Sequence, residues 1–192
     1  MNTIISKTLL LMLSTSLFAK GEIEAKTTTL DDFDTKRQAG DWIEVNDGVM
    51  GGLSKGGLVI NKEKWLVFSG EISLENNGGF SSIRSGGKTL DLSKYAGLEI
   101  KVKGDGRKYY LTARSDNRRM LAFWSPIQPA KGEWAVIKVP FSSFYATYFG
   151  KKVPLMNLNT EKITSVGFML YDKKAGAFSL EAEYIKAYKK GE

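Results

Sequence analysis

The chain has 192 residues, 42% of them hydrophobic, which supports one domain with a core of ordinary size and not two comfortable ones. Lys and Arg outnumber Asp and Glu 28 to 21, a formal net charge of +7, but the basic residues are scattered in pairs such as Lys151-Lys152 and Lys173-Lys174, so no nucleic-acid-binding stripe is expected. Histidine and cysteine are both missing, which excludes a disulfide, a thiol nucleophile, a Ser-His-Asp triad and imidazole-ligated zinc or iron, and leaves only carboxylate, lysine or tyrosine chemistry for catalysis.

At the amino terminus Lys7 is the only charge before an apolar stretch, 8–18, that ends at Ala19. The stretch is shorter than the roughly 20 residues of a membrane-spanning helix and has the proportions of a secretory signal, so residues 1–19 are expected to be a signal peptide cleaved near Ala19, with Ala25 the alternative. That places the mature chain outside the cytoplasm, in a periplasm, with no transmembrane span. From there the apolar period is two. Weak strand signals at 30–33, 42–45 and 57–60 are followed by stronger ones at 65–74, 80–85, 98–103, 108–115, 120–124, 134–139, 163–171 and 178–188. In Leu98-Glu99-Ile100-Lys101-Val102-Lys103 apolar and charged residues alternate without exception. Turn chemistry separates the segments at Asn76-Asn77-Gly78-Gly79, Gly86-Gly87, Gly104-Asp105-Gly106 and Lys131-Gly132. Helix is confined to single turns at 91–95 and 140–144, and 145–158, with Pro154 and no alternation, reads as a long surface loop. About ten short antiparallel strands predict an all-β sandwich or jelly roll.

Three glycines and a turn-forming Asn-Asp-Gly fall within Asn46-Asp47-Gly48-Val49-Met50-Gly51-Gly52, close after Trp42. Further blocks follow: Phe68-Ser69-Gly70, then Ser73-Leu74-Glu75-Asn76-Asn77-Gly78-Gly79-Phe80-Ser81-Ser82-Ile83-Arg84, Val102-Lys103-Gly104-Asp105-Gly106-Arg107, Trp134, Pro140-Phe141, Gly167-Phe168-Met169 and Ala175-Gly176-Ala177-Phe178. This ordered set resembles the family of complex I intermediate-associated protein 30, and the likeness covers 30–188. It implies a galactose-binding-like β-sandwich and a non-enzymatic binding or assembly factor, similar to the assembly chaperones of respiratory NADH:ubiquinone oxidoreductase. A protein client, which could be a membrane-associated complex, is the expected partner, and no cofactor is expected. A carbohydrate-binding module of the cell envelope, with a glycan as partner, is the competing expectation, because fold alone does not decide function.

Strand parity supplies candidate site residues. In 80–84, Phe80, Ser82 and Arg84 share one face against Ser81 and Ile83; in 108–115, Tyr110, Thr112 and Arg114 separate from Tyr109, Leu111 and Ala113. With the apolar sets inside, Arg84 and Arg114 face outward with Tyr110 and Trp124, an arrangement suited to a sugar or an acidic protein segment. Pairing of the two arginines with surface carboxylates such as Glu99 is the alternative. Trp124 is the tryptophan most expected to be exposed; Trp42, Trp65 and Trp134 are expected in the core. Asp47, Asn77 and Asp105 have two readings, an oxygen-lined rim for hydroxyls or calcium and side chains that hold tight turns. No acid-rich loop of calcium-ligand spacing accompanies them, so the turn reading leads and no metal is expected. Glu181 and Glu183 are read as solvated charges, with acid/base work of a glycosidase kind a remote alternative.

Overall fold

A computed structural model describes residues 27–33, 42–87, 89–116 and 120–189; the expected signal peptide lies outside the described residues. Within them are thirteen strands: β1 (Thr27–Asp31), β2 (Trp42–Asn46), β3 (Lys55–Ile60), β4 (Leu66–Ile72), β5 (Ser81–Ser85), β6 (Gly97–Lys103), β7 (Tyr109–Ser115), β8 (Leu121–Ile127), β9 (Trp134–Pro140), β10 (Tyr145–Tyr148), β11 (Lys151–Lys152), β12 (Ile163–Leu170) and β13 (Gly176–Tyr188). The period-two pattern forms them because alternate side chains leave opposite faces of a strand. Burial alternates along β7 and along β6, with Tyr109, Leu111 and Ala113 inward on the first and Leu98, Ile100 and Val102 inward on the second.

Two antiparallel sheets result. One has the order β3-β4-β13-β6-β9, with β1 also on β13; the other runs β11-β10-β8-β7-β12-β5-β2. The long β13 needs two partners on one edge, β4 along 176–182 and β1 along 185–188, while β6 takes the other edge. Between the sheets lies a single apolar cluster that includes Phe68, Ile83, Ile100, Leu111, Phe168 and Leu180. Each such side chain contributes about 1.5–3 kcal/mol when fully buried, so this layer is what holds the sheets face to face.

Three expectations are corrected. The stretch 145–158 is not all loop, because Tyr145–Tyr148 pairs with β8 and then folds back as β11. The hairpin turn is Phe149-Gly150, with φ of 47° and 76°, values that match a two-residue turn whose usual signature is Asn-Gly. A phenylalanine at the first position hid it. Second, 91–95 makes a hydrogen-bonded turn, Tyr95 N–H to the Leu92 carbonyl at 3.0 Å, without becoming helical, whereas Phe141–Ser143 is a 3-10 turn as expected. Third, Trp65 and Trp134 are half-buried and outside the core, packed edge to face at 4.8 Å with the Lys103 ammonium 5.6 and 5.3 Å from their ring centres. Glu181 and Glu183 sit on this same sheet as half-exposed partners of Lys103 and Lys101, at 2.8 and 2.6 Å.

Candidate binding groove

Register builds a surface on the outer face of the seven-stranded sheet. Ile43, Arg84, Gly167, Thr112, Trp124 and Tyr145 are cross-strand partners in one continuous row over β2, β5, β12, β7, β8 and β10. Val45, Ser82, Met169, Tyr110 and Pro126 form the parallel row. Their chain neighbours Ile83, Leu111, Phe123 and Phe168 point into the core. Gly167 is required in the first row: a Cβ there would stand 2.1 Å from the Ile83 carbonyl oxygen and 2.7 Å from the Arg84 Cα.

A groove of about 470 Å³ opens on this face. Arg84, Thr112, Arg114, Trp124, Met169 and Tyr171 are among the side chains that line it, and Val49, Met50, Asn77, Met120 and Phe149 bound it from the loops and turns. Trp124 is only 6% exposed, so the expectation that it protrudes is corrected. Tyrosines enclose it: Tyr110 lies at 5.3 Å and Tyr171 at 5.8 Å from its ring. Tyr145 completes the cluster through a hydrogen bond with Tyr110, and burial followed by that neighbour pushes the Tyr145 hydroxyl up to about 12.

The groove is cationic. Among the described residues that line it there are two arginines and Lys173, and no aspartate or glutamate. Burial holds both guanidinium groups below their ordinary basicity, and Arg114 is lowered further by the charge of Arg84. Arg114 Nη1 donates to the Leu121 carbonyl at 3.1 Å. The alternative pairing with Glu99 is not made, because Glu99 lies on β6 in the other sheet, where it accepts from the Tyr184 hydroxyl at 3.1 Å and lies 4.0 Å from Lys138. Lys173, Lys152 and Lys108 stand over Tyr171, Tyr145 and Tyr110 at 4.1, 4.3 and 5.4 Å.

Beneath the rim, the first two glycine blocks converge on one carboxylate. Asp47 is fully buried. It accepts hydrogen bonds from Ser54 N at 2.9 Å, Ser54 Oγ at 2.5 Å, Gly79 N at 2.6 Å and Phe80 N at 3.2 Å. Close packing explains the glycines, since a Cβ at Gly52 would lie 2.4 Å from the Asp47 Cγ and one at Gly78 2.6 Å from its Oδ2. Burial raises the Asp47 pKa, but these donors outweigh it and the carboxyl sits below its ordinary value. The loops carrying Val49, Met50 and Asn77 are thereby tied together under the groove.

Of the seven residues singled out from the sequence, Asn77, Arg84, Arg114 and Trp124 line the groove, and Tyr110 packs against Trp124. Asp47 and Asp105 do not. Asp105 accepts from Arg107 N at 2.9 Å, Tyr109 Oη at 3.0 Å and Ser179 N at 2.9 Å, so its oxygens serve a turn as those of Asp47 do. No group of three or more acidic, His or Cys side chains suited to a metal occurs among the described residues. Sequence reasoning missed Tyr145, hidden in the misread loop, and the rim residues Phe149, Val49 and Met50. It also missed Tyr171, which strand parity with Met169 would have placed on this face.

Two antiparallel sheets packed face to face, with a groove on the outer face of one, define a β-sandwich. The same fold occurs in the family 11 carbohydrate-binding module of a cellulosomal cellulase of Clostridium thermocellum, with a TM-score of 0.64 and 20% identity over 85% of this chain and 94% of that one. A second structure of such a module, in complex with a β-1,3-1,4-mixed-linked tetrasaccharide, gives a TM-score of 0.62 at 21% identity, covering 85% and 95% of the two chains. At such identities only the fold is shared. The sequence model described as Complex I intermediate-associated protein 30 matches residues 31–182, and the chain belongs to that family. The mitochondrial complex I intermediate-associated protein 30 of Mus musculus is 28% identical, covering 81% of this chain and 54% of its own length. The chain thus spans about half the length of the curated relatives it matches.

Proposed function

We propose that the chain is a non-catalytic binding module that docks a segment of a protein client in the groove and assists assembly of a protein complex. The observation that carries this reading is the apolar rim: Val49, Met50 and Phe149 are 74%, 60% and 62% exposed around a polar and aromatic floor. Exposed apolar groups gathered around a groove mark a surface that another macromolecule covers. The printed name of the relatives, complex I intermediate-associated protein, supports an assembly role of the same kind. The apolar segment at 8–18 supports export, so the client is sought in the periplasm or at the membrane surface facing it. No described helix is long and apolar enough to cross a membrane.

The described lining offers no carboxylate or imidazole to move a proton, which supports a binding role. A glycan is the second reading, supported by the tetrasaccharide bound to a module of this fold. Against it, the Trp124 ring is enclosed by Tyr110 and Tyr171 and has little face left for a sugar to stack on.

The test is affinity capture from a gently solubilised envelope extract, with the natural chain and with the Met50→Asp, Phe149→Asp double variant compared side by side. Both substitutions fall at exposed positions and leave folding within about 0.5 kcal/mol per site. A complex retained by the natural chain and lost by the variant is the expected outcome. Equal retention by both would place the client elsewhere on the surface, and binding of the tetrasaccharide with no protein retained would favour the glycan.

A further inference from the structure

We infer that the β10–β11 edge of the seven-stranded sheet attaches the chain peripherally to an anionic lipid surface. β11 is the outermost strand on that side, and the chain exposes an apolar turn at each end of it, Phe149-Gly150 before and Pro154-Leu155 after. The exposed Tyr148 packs edge to face on Phe149 at 4.7 Å, and Leu155 is fully exposed. Both turns hold a bulky apolar residue in the left-handed region, with φ of 47° at Phe149 and 59° at Leu155, where Asn or Gly is the usual occupant. The core gains nothing from either side chain, whereas their neighbours Val153 and Met156 pack against it. Apolar groups set out on exposed turns at a conformational cost are explained by an apolar medium that receives them.

Charge selects which medium. Lys151 and Lys152 are exposed between the two turns, and the sequence has no Asp or Glu anywhere from 134 to 160. Register pairs Lys151 with Tyr148 and Lys152 with Thr147, on opposite faces of the hairpin, and their flexible stems bring both ammonium groups to the edge itself. Aromatic and aliphatic side chains that enter the acyl boundary, beside lysines that stay among anionic headgroups, make an interfacial anchor. Each lysine at such a surface strengthens attachment about 5-fold, so the anchor is reversible.

The sequence has no cysteine, so a polarity-sensitive fluorophore can be attached uniquely at Leu155→Cys, or at Val136→Cys on the exposed surface of β9 in the other sheet. With vesicles of phosphatidylglycerol and phosphatidylcholine, we expect cosedimentation and a blue shift of the label at 155 but not at 136, and little of either with phosphatidylcholine alone. Lys151→Glu, a change of two charges, should weaken vesicle binding about 25-fold, and added salt should weaken it too. Tyr148→Ser should weaken it through the apolar contact. Neither residue is among those that line the groove, so both variants should still capture the client. No vesicle binding, equal binding to neutral vesicles, or binding without a shift at 155, as an apolar amino-terminal segment alone would give, would overturn the inference. Loss of the captured client in Lys151→Glu or Tyr148→Ser, with no vesicle binding by the natural chain, would assign the edge to a protein instead. Vesicle binding as described with no client captured in the groove would overturn the docking reading and leave this one standing.

Discussion

Asp47 carries more of the groove than any residue that lines it. Its four hydrogen bonds join the turn after β2 to the backbone at Gly79 and Phe80, and they hold only while the side chain is an acceptor. Asp47→Asn turns an amide donor toward existing donors in a buried site, and should cost about 2–3 kcal/mol in a urea unfolding measurement at neutral pH. The pH dependence follows from the depressed folded pKa. Stabilisation is complete above the unfolded value of 3.8 and is lost as pH falls through the lower folded value. The natural chain should therefore lose stability below about pH 4 more steeply than Asp47→Asn. An identical slope in the two proteins would show that this carboxylate is not held as described. The sequence made Asp47 legible as a turn residue, because Asn-Asp-Gly has that chemistry, but not as the link between two glycine blocks some thirty residues apart; that connection exists only in three dimensions.

At the scale of elements, two of the crossovers between the sheets, β6 to β7 and β12 to β13, are pinned to each other by Arg107. Its Nε and Nη2 reach the Asp172 carboxylate at 3.0 and 2.7 Å, and the remaining donors bond the carbonyls of Lys174, Gly176 and Ala177. Burial raises Asp172, but the bonds from Arg107 and the Lys174 amide outweigh it and hold that carboxyl below its ordinary value. The side chains are 13% and 5% exposed, so Arg107→Ala leaves a carboxylate and three carbonyls without their donor in a mostly dry site. We expect a loss of about 3 kcal/mol or more by denaturant titration, with only partial recovery in Arg107→Lys, whose ammonium cannot reproduce the fork. A change below about 0.5 kcal/mol, the level of an ordinary surface substitution, would contradict the latch. Strand existence was legible here because alternation persisted through 98–103 and 108–115. It failed at β10, where Ala146 and Thr147 are both buried, so no alternation of apolar and polar residues was visible. Trp124 was misjudged for a related reason: its neighbours in sequence, Ser125-Pro126, suggest exposure, and the tyrosines that cover it come from β7, the β10 edge and the end of β12.

For the whole molecule, one sheet face carries the groove and the other presents a different surface. The seven-stranded sheet gathers arginines, tyrosines and an apolar rim, whereas the outer face of the six-stranded sheet matches its lysines to glutamates at Lys101–Glu183 and Lys103–Glu181. Charges balanced in this way are worth little and attract little. The asymmetry makes the account directly testable by site-specific photo-crosslinking in intact cells, with a photoreactive phenylalanine analogue placed in turn at Phe149 on the groove rim and at Val136, 55% exposed on β9 of the opposite sheet. The account predicts a discrete protein adduct from position 149, absent from position 136 and reduced by Met50→Asp on the same rim. Adducts of equal yield from both positions, or from 136 alone, would contradict it.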